Sequence, residues 1–528
     1  MTSQPAPDST RRKLGQALAF ALSSRRTLSV TLLSFSSGLP LGLVWIAIPD
    51  WMATNDVDIR IIGLTSLAHM PWTFKMLWSP LMDRYTPRWL GRRRGWIAFA
   101  QIALFVLTLM LAGVGDHPDL PWVVIAFATA IAFASACQDI AFDAYAVDVL
   151  LPEEQGLAVG ARFGSYRLAM LLAGGFSITL AGWWSWPVVC VLLASIYLPL
   201  VLITRRAPEP EVRAVAPRTL REAVWLPFLG FLSRHQALSI LSLVVLYKLA
   251  DNLSQALLRP FLEEMGYDAF SRGIGLATIG FWATFLGTFV GGALTTTWGL
   301  GRCLWLFGFL QIFSNIGYIL VANSEVSWPL MYGAMIFEHA TTGSGMGAFG
   351  VLLLRMTQKR FSATQYALFS SLFALPRLLA GPVTGYLVHA FGWTDFFWFT
   401  MAAGVPGMVL LARFVPFGVR DPTFEVKELP SREPLTRFGL AVRAALGGLT
   451  GAVLALLVMA TLSGLSAITD QPGSPFDLVG RMLLLLQPDG VVGVLKLLAA
   501  LLSASVAALL TAAVFVARHG GGGDIVEG

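Results

Sequence analysis

Charge is what this chain of 528 residues has least of: only 13% of it is Asp, Glu, Lys or Arg, against about 25% in a soluble domain. Cysteine is scarce as well. Cys137, Cys190 and Cys303 all fall in apolar runs, with no paired framework and no metal spacing; free cysteines there serve as small apolar residues in helix interfaces. His and Glu show no metal-ligand spacing, and no Ser or Cys stands in a nucleophile motif. No extramembrane stretch exceeds about 35 residues, too short for an independent domain. These absences argue against a membrane enzyme and imply no cofactor and no metal.

What is present is apolar sequence. The chain is 56% hydrophobic, and runs of about 20 residues recur, each able to cross a hydrocarbon core of about 30 Å. A β-barrel would alternate in segments of about ten residues instead. The chain therefore reads as an all-α, multi-pass membrane protein. Spans are expected near 28–50, 61–82, 96–115, 121–149, 157–182, 186–204, 238–258, 272–297, 303–322, 328–354, 365–390 and 394–416, with two more near 438–464 and 490–517. Basic residues gather on alternate connections: Arg11 to Arg26 before span 1, Arg84 to Arg94 after span 2, Arg205 to Arg234 between spans 6 and 7, Arg355 to Arg360 after span 10, and Arg413 to Arg443 after span 12. The opposite loops carry Asp56, Asp58, Asp116, Asp119, Glu263, Glu264, Asp268 and Glu325. The positive-inside rule then puts both termini in the cytoplasm and makes the span number even. The net charge of +6 is a topological signal rather than one for nucleic acid. No cleavable leader is expected, because the first 27 residues are polar and basic and the first run is long enough to span.

The chain divides into a tail (1–27), six spans (28–204), a polar middle loop (205–237), six spans (238–416), a Pro- and charge-rich linker (417–437), two further spans (438–518) and a Gly-rich tail (519–528). Phe476 to Leu486 is too short to cross and suits the interface. Each six-span half is punctuated after its second span, by Ser79-Pro80-Leu81-Met82-Asp83-Arg84 with Gly91-Arg92-Arg93-Arg94, and by Gly291-Gly292-Ala293-Leu294 with Gly299-Leu300-Gly301-Arg302, which lacks the Asp. The first resembles the loop motif of the major facilitator superfamily. That resemblance implies two six-helix bundles around a central cavity, faced by spans 1, 4, 7 and 10.

Intramembrane polar residues concentrate on those four spans. Span 1 has Ser34, Ser36, Ser37 and Gly38; span 4 has Ser135, Gln138, Asp139 and Asp143. Span 7 has Tyr247, Lys248, Asp251, Asn252, Gln255 and Arg259; span 10 has Glu338, His339, Thr341, Thr342 and Ser344. A charge at the centre of a spanning helix costs roughly 2.5–3.5 kcal/mol on insertion scales, so each needs a reason. Ser135, Asp139 and Asp143 step by four and share a face. Asp148 points the opposite way and is expected to pair with Arg84, Arg94 or Arg162 near the cytoplasmic end. Asp139 and Asp143 have no cation on their own face; they need Lys75, Arg167 or a proton, which an unpaired carboxylate in low dielectric tends to bind. Lys248, Asn252, Gln255 and Arg259 form a stripe of about 16 Å, although Lys248 and Asp251 also suit each other as an ion pair, as do Glu338 and either His339 or Arg377. Trp45, Trp72, Tyr145 and Tyr166 suit sugar stacking or packing. Gly343, Gly345, Gly347 and Gly350 suit close helix approach.

A narrower resemblance rests on Ser36 to Leu41, Phe74 to Tyr85, Gly91 to Trp96, Gln138-Asp139-Ile140 with Phe142-Asp143-Ala144, Asp148-Val149-Leu150 and Tyr166-Arg167-Leu168. Together these are similar to the AmpG-type muropeptide permeases, and the two extra spans fit that group. The resemblance implies proton-driven import of N-acetylglucosaminyl-anhydro-N-acetylmuramyl peptides across the inner membrane of a Gram-negative bacterium, serving cell-wall recycling and β-lactamase induction. Gly38, Ala136, Gln138, Asp139 and Asp143 sit in the matching motifs. In that frame Asp139, Asp143 and Glu338 are candidates for proton coupling. Ser37, Gly38, Lys75, Ala136, Gln138, Tyr145, Lys248, Asp251, Asn252, Gln255 and His339 are candidates for substrate contact. Asp83, Arg84, Arg94 and Asp148 are candidates for a conformational lock, with protons, a small-molecule substrate and the bilayer as partners. One departure is Tyr145-Ala146, where the family often has Trp-Lys. The competing expectations are a related carrier for a siderophore or acetyl-CoA and, of another class, a non-transporting scaffold or enzyme.

Overall fold

A computed structural model describes residues 24–55, 57, 65, 68, 70–85, 87, 89–114, 120–209, 237–422, 436–470, 477–487 and 490–518. The first half of expected span 2, Asp56, Asp58, Arg88, Asp116, Asp119, the arginines of the middle loop beyond Arg206, most of the linker and both tails lie outside the described residues. Among the described residues the chain is helical and carries no strand. Hydrocarbon leaves a spanning backbone no other partner than itself.

Among the described residues nine helices are long and apolar enough to cross a membrane: Arg25–Thr54, Arg92–Val114, Pro121–Val149, Trp186–Arg206, Leu238–Glu264, Phe270–Trp298, Leu300–Ala322, Phe391–Phe414 and Phe438–Thr461. They fall on expected spans 1, 3, 4, 6, 7, 8, 9, 12 and 13. Spans 5 and 10 fall on the helices Gln155–Leu171 and Trp328–Met356, whose apolar content is diluted by Gly, Ser, Thr and charge. Span 11 opens the long run Ser362–Phe414, which breaks at Gly392, where φ is +80°. Of span 2, short helical pieces at Met70–Thr73, Lys75–Leu77 and Ser79–Arg84 are described. Spans 4, 6 and 10 each open with a proline in the first turn, where the missing N–H has no intrahelical partner to lose. π-turns interrupt span 1 at Leu43–Ala47, span 5 at Leu172–Phe176 and span 8 at Ile274–Ile279, a local widening that re-aims the side chains around it.

The chain forms two compact units. The first comprises Met1–Ala223, Leu241–Gly381 and Phe391–Phe424, and holds most of the first twelve spans. Within it span 1 packs on span 5, span 3 on spans 4 and 6, and span 10 on spans 8 and 9. Bulky apolar side chains such as Phe99, Trp122, Trp282 and Phe313 face outward, as lipid contact requires. The halves meet where span 5 crosses span 8. The backbones touch there: a Cβ on Gly292 would lie 2.3 Å from the Gly156 carbonyl, and one on Gly156 2.5 Å from the Gly292 carbonyl. Only glycine admits this approach.

The second unit comprises Val224–Ile240, Pro382–Ala390 and Glu425–Gly528. Its helices Arg437–Asp470 and Gly490–Arg518 form an antiparallel pair, seated where Gly447 and Gly451 meet Thr511 and Ala507. Between them Leu478–Leu485 is an eight-residue helix capped by Asp477, and Arg481 donates to the Ser463 carbonyl at 2.9 Å.

Candidate functional site

A cavity of about 320 Å³ opens inside the first unit, lined from spans 1, 4, 5, 8, 10 and 11 and by Lys75. Spans 1 and 5 run side by side through it. The spacing Arg162, Phe163, Tyr166, Arg167, Met170 puts one face of span 5 on the wall, and Ser34, Ser37, Leu41, Trp45 does the same for span 1.

The cavity has two levels. At the lower one Asp143 is buried and held twice, by Lys75 at 3.2 Å and by Arg162 at 2.5 Å. The Arg162 guanidinium also lies over Phe142, 4.8 Å from the ring centre. Asp139, one turn away on the same face, lines the cavity half-buried and has no ion-pair partner within 4 Å among the described residues. Its neighbourhood includes Lys75, Arg162 and Ser37. The two carboxylates thus differ in kind: Asp143 is matched by two cations, while Asp139 faces the opening. At the upper level stand Trp45, Arg167, Phe373 and Arg377. The Arg377 guanidinium lies 6.0 Å from the Trp45 ring centre, and Trp45 meets Trp72 edge-on at 5.8 Å.

Several expected contact residues stand elsewhere. Gln138 does not line the cavity. It is fully buried, donates to Ser37 at 3.1 Å, accepts from Ser36 at 3.2 Å, and belongs to a chain that runs on through Gln101 to Thr204. That chain ties spans 1, 3, 4 and 6 together. Ala136 is buried in helix packing. A Cβ on Gly38 would sit 2.1 Å from the Tyr166 carbonyl, so this glycine sets the distance between spans 1 and 5. The Tyr145 ring is buried and its hydroxyl donates to the Pro208 carbonyl at 2.8 Å; it is a strut to the start of the middle loop, away from the cavity.

The C-terminal half corrects the expectation more strongly. Lys248 is 3% exposed and its ammonium is ringed by acceptors: Asp251 at 2.5 Å, Gln311 at 2.5 Å and the Thr342 carbonyl at 3.2 Å. Glu338, 1% exposed, takes His339 at 2.7 Å, Gln255 at 2.8 Å and Thr342 at 3.1 Å. Asn252 donates to the Lys248 carbonyl. None of Lys248, Asp251, Asn252, Gln255, Glu338 and His339 lines the cavity. The pairings Lys248–Asp251 and Glu338–His339, among those the sequence offered, are the ones made, the first an ion pair and the second a contact of the His339 ring with the carboxylate.

The lock residues are also re-paired. Asp83 is fully buried. It accepts from Arg92 at 2.7 Å, Arg93 at 2.9 Å, and, across the halves, from the Thr364 amide at 2.9 Å and hydroxyl at 2.6 Å. Asp148 binds Arg93 at 3.0 Å, not Arg84, Arg94 or Arg162. Arg93 reaches across to Ser362 at 2.7 Å. Arg84 lies over its neighbour Tyr85, and Arg94 pairs with Glu209 and the Ala207 carbonyl. Arg93, which sequence reasoning passed over, is the hub.

A second clasp mirrors the first. Asp148 and Arg355 are the penultimate residues of spans 4 and 10, both 29 residues long. Ser362 and Gln155 open the helices of spans 11 and 5. Arg93 bonds Ser362; Arg355 bonds Gln155 at 3.3 Å. Asp83 receives the amide of Thr364, the third residue of its helix; the Thr296 hydroxyl receives the amide of Leu157, the third residue of its own, at 3.1 Å. The acid missing from the second loop motif is supplied by Asp421, after span 12, which holds Arg355 at 2.7 Å.

Sequence reasoning also missed the cavity roles of Arg162 and Arg377.

Residues 30–375 match the sequence profile described as Major Facilitator Superfamily. The chain is 42% identical over 388 residues to the anhydromuropeptide permease of Escherichia coli (strain K12), covering 73% of this chain and 79% of that one. It is 28% identical over 398 residues to a Rickettsia felis relative named transporter AmpG 4, covering 73% and 95%. Among solved structures it is similar to the proton:xylose symporter XylE, with a TM-score of 0.57 at 12% identity, covering 76% and 98%, a likeness of fold.

Proposed function

Because the chain belongs to the AmpG-type permeases of the major facilitator superfamily, we propose that it imports anhydromuropeptides across the bacterial inner membrane, drawn by protons, through alternating access. Asp139 carries the reading: it is a carboxylate on the cavity wall with no ion-pair partner among the described residues, one turn from an acid that is fully matched. An acid so placed is costly when ionised and dry, and a proton relieves that cost. Inward movement of each proton contributes about 2.3 kcal/mol per 100 mV of membrane potential. Asp143, fixed between Lys75 and Arg162, holds those cations in register. The basic residues of the loop after span 2 put the two clasps on the cytoplasmic side, so the halves are closed towards the cytoplasm and both termini lie there. Opening inward requires Asp83 and Arg93 to release span 11, and Arg355 to release span 5.

Purified protein in liposomes, given labelled anhydromuropeptide and an imposed pH gradient, tests the reading. Accumulation should follow the gradient and collapse with an uncoupler, and excess siderophore or acetyl-CoA should not compete. Asp139→Asn should abolish gradient-driven accumulation while leaving passive exchange of substrate. Unchanged, uncoupler-sensitive uptake by Asp139→Asn would remove that residue from the coupling role.

A further inference from the structure

The upper level of the cavity has a surplus that the transport reading does not use. Six charged side chains line the cavity: Lys75, Arg162, Arg167 and Arg377 against Asp139 and Asp143, which leaves two positive charges over. Lys75 and Arg162 are taken by Asp143. Arg167 and Arg377 have no carboxylate within ion-pair distance among the described residues, and Arg377 acts on Arg167 as a neighbouring charge of like sign. Arg167 lies five residues beyond Arg162 on span 5, about 7.5 Å further from the clasps at 1.5 Å per residue. Arg377 shares that level and lies over the Trp45 indole.

Two like charges on the wall of one cavity in a membrane protein are costly through repulsion, and the half-buried Arg167 is costly through desolvation as well. Either cost falls when an anion sits between them. A guanidinium presents a planar fork of N–H groups that fits a carboxylate with two parallel bonds. The adjoining indole offers a flat apolar face. We propose that Arg167, Arg377 and Trp45 form an anion subsite that takes a carboxylate of the transported ligand, with the indole against the neighbouring ring or chain. Resting on the muropeptide reading, the carboxylate is one of those on the peptide stem. The site makes transport selective for the charged stem, and it leaves Lys75 and Lys248 to their ion pairs with Asp143 and Asp251.

The test compares uptake in liposomes of two ligands: an anhydromuropeptide with free stem carboxylates, and the same compound with those groups converted to primary amides. The unsubstituted protein should show a KM for the free acid lower by about tenfold or more, the worth of a charge-assisted hydrogen bond. Arg167→Gln and Arg377→Gln should each reduce that preference at least fivefold, with most of the rise in KM on the free acid. Arg377→Lys, which keeps charge and loses the fork, should fall between. An equal KM for both ligands in the unsubstituted protein, or an unaltered preference in both Gln variants, overturns the subsite. Should the unsubstituted protein carry neither ligand, the muropeptide reading fails separately. Calorimetry with glutarate then decides the anion site: binding that the Gln variants weaken upholds it, and no binding overturns it.

Discussion

The two six-span halves place similar numbers of ionisable side chains inside the membrane and use most of them differently. In the N-terminal half Lys75, Asp139, Asp143, Arg162 and Arg167 all reach the cavity. In the C-terminal half Arg377 reaches it too, but Lys248, Asp251, Glu338 and His339 pair with one another and do not line it. Sequence spacing explains part of the contrast. Lys248 and Asp251 are opposite charges three residues apart on one helix, so the pair closes locally. Asp139 and Asp143 are like charges four residues apart, so any neutralisation must come from another helix, and those helices surround an opening. A matched charge is scaffold, and an unmatched one is the place to look for a ligand or a proton.

The sharpest way to break this contrast is at Asp143. Asp143→Ala strands two buried cations, and breaking a buried pair by deleting one partner costs about 3–5 kcal/mol. We expect uptake to vanish together with a fall in the thermal unfolding midpoint in detergent. Asp139→Asn removes no ion pair and should leave that midpoint within a few degrees. If both variants are equally unstable, the distinction between a structural and a working aspartate is wrong.

The C-terminal network gives the complementary experiment. Lys248→Met alone leaves Asp251 buried and unpaired, and stability should fall by about 3 kcal/mol. Replacing both, as Lys248→Met with Asp251→Leu, should recover most of that loss, because an apolar pair of similar volume is often as stable as the ion pair. Uptake by the double variant should stay within a few-fold of the parent. Loss of uptake at full stability would return these residues to the substrate path.

Span positions and the burden of polar residues on spans 1, 4, 7 and 10 were legible in the sequence, because hydropathy and charge placement are one-dimensional signals. Partners were not. Asp148 was open to Arg84, Arg94 or Arg162, and the structure brings it Arg93, since which of three consecutive arginines turns inward depends on the entry angle of span 3. Lys248 looked available because its spacing with Asn252 and Gln255 made a stripe, yet Gln311 from span 9 closes over it. Helical spacing gives a face but not what the face meets. Arg377 was legible as a charge and not as a cavity residue, since its position follows from where span 11 stands.

The clasps allow a finer comparison. Asp83 accepts two bonds from Thr364 and two from arginines, and its charge faces the first turn of span 11, where exposed amides favour an anion. Asp83→Asn should shift the protein towards the cytoplasm-open form and reduce transport about tenfold, in line with the loss of charge-assisted bonds. The shift is read by labelling Ser370→Cys, on the cavity wall, with an impermeant thiol reagent from the cytoplasmic side, in a background where Cys137, Cys190 and Cys303 are replaced.

The second clasp has a hydroxyl where the first has a carboxylate. Thr296→Val deletes one neutral hydrogen bond to the Leu157 amide, worth about 1 kcal/mol, or about fivefold in the closed-to-open ratio. The β-branched shape is kept, so the Gly156–Gly292 crossing should hold. The same labelling should rise by a smaller factor than for Asp83→Asn, and transport should change by less than about threefold. The order matters more than either value. If Thr296→Val opened the protein as far as Asp83→Asn does, closure would depend on the span 5 amide rather than on the charge set around Asp83. The degenerate loop motif, with its acid supplied from beyond span 12, would then be the stronger of the two holds.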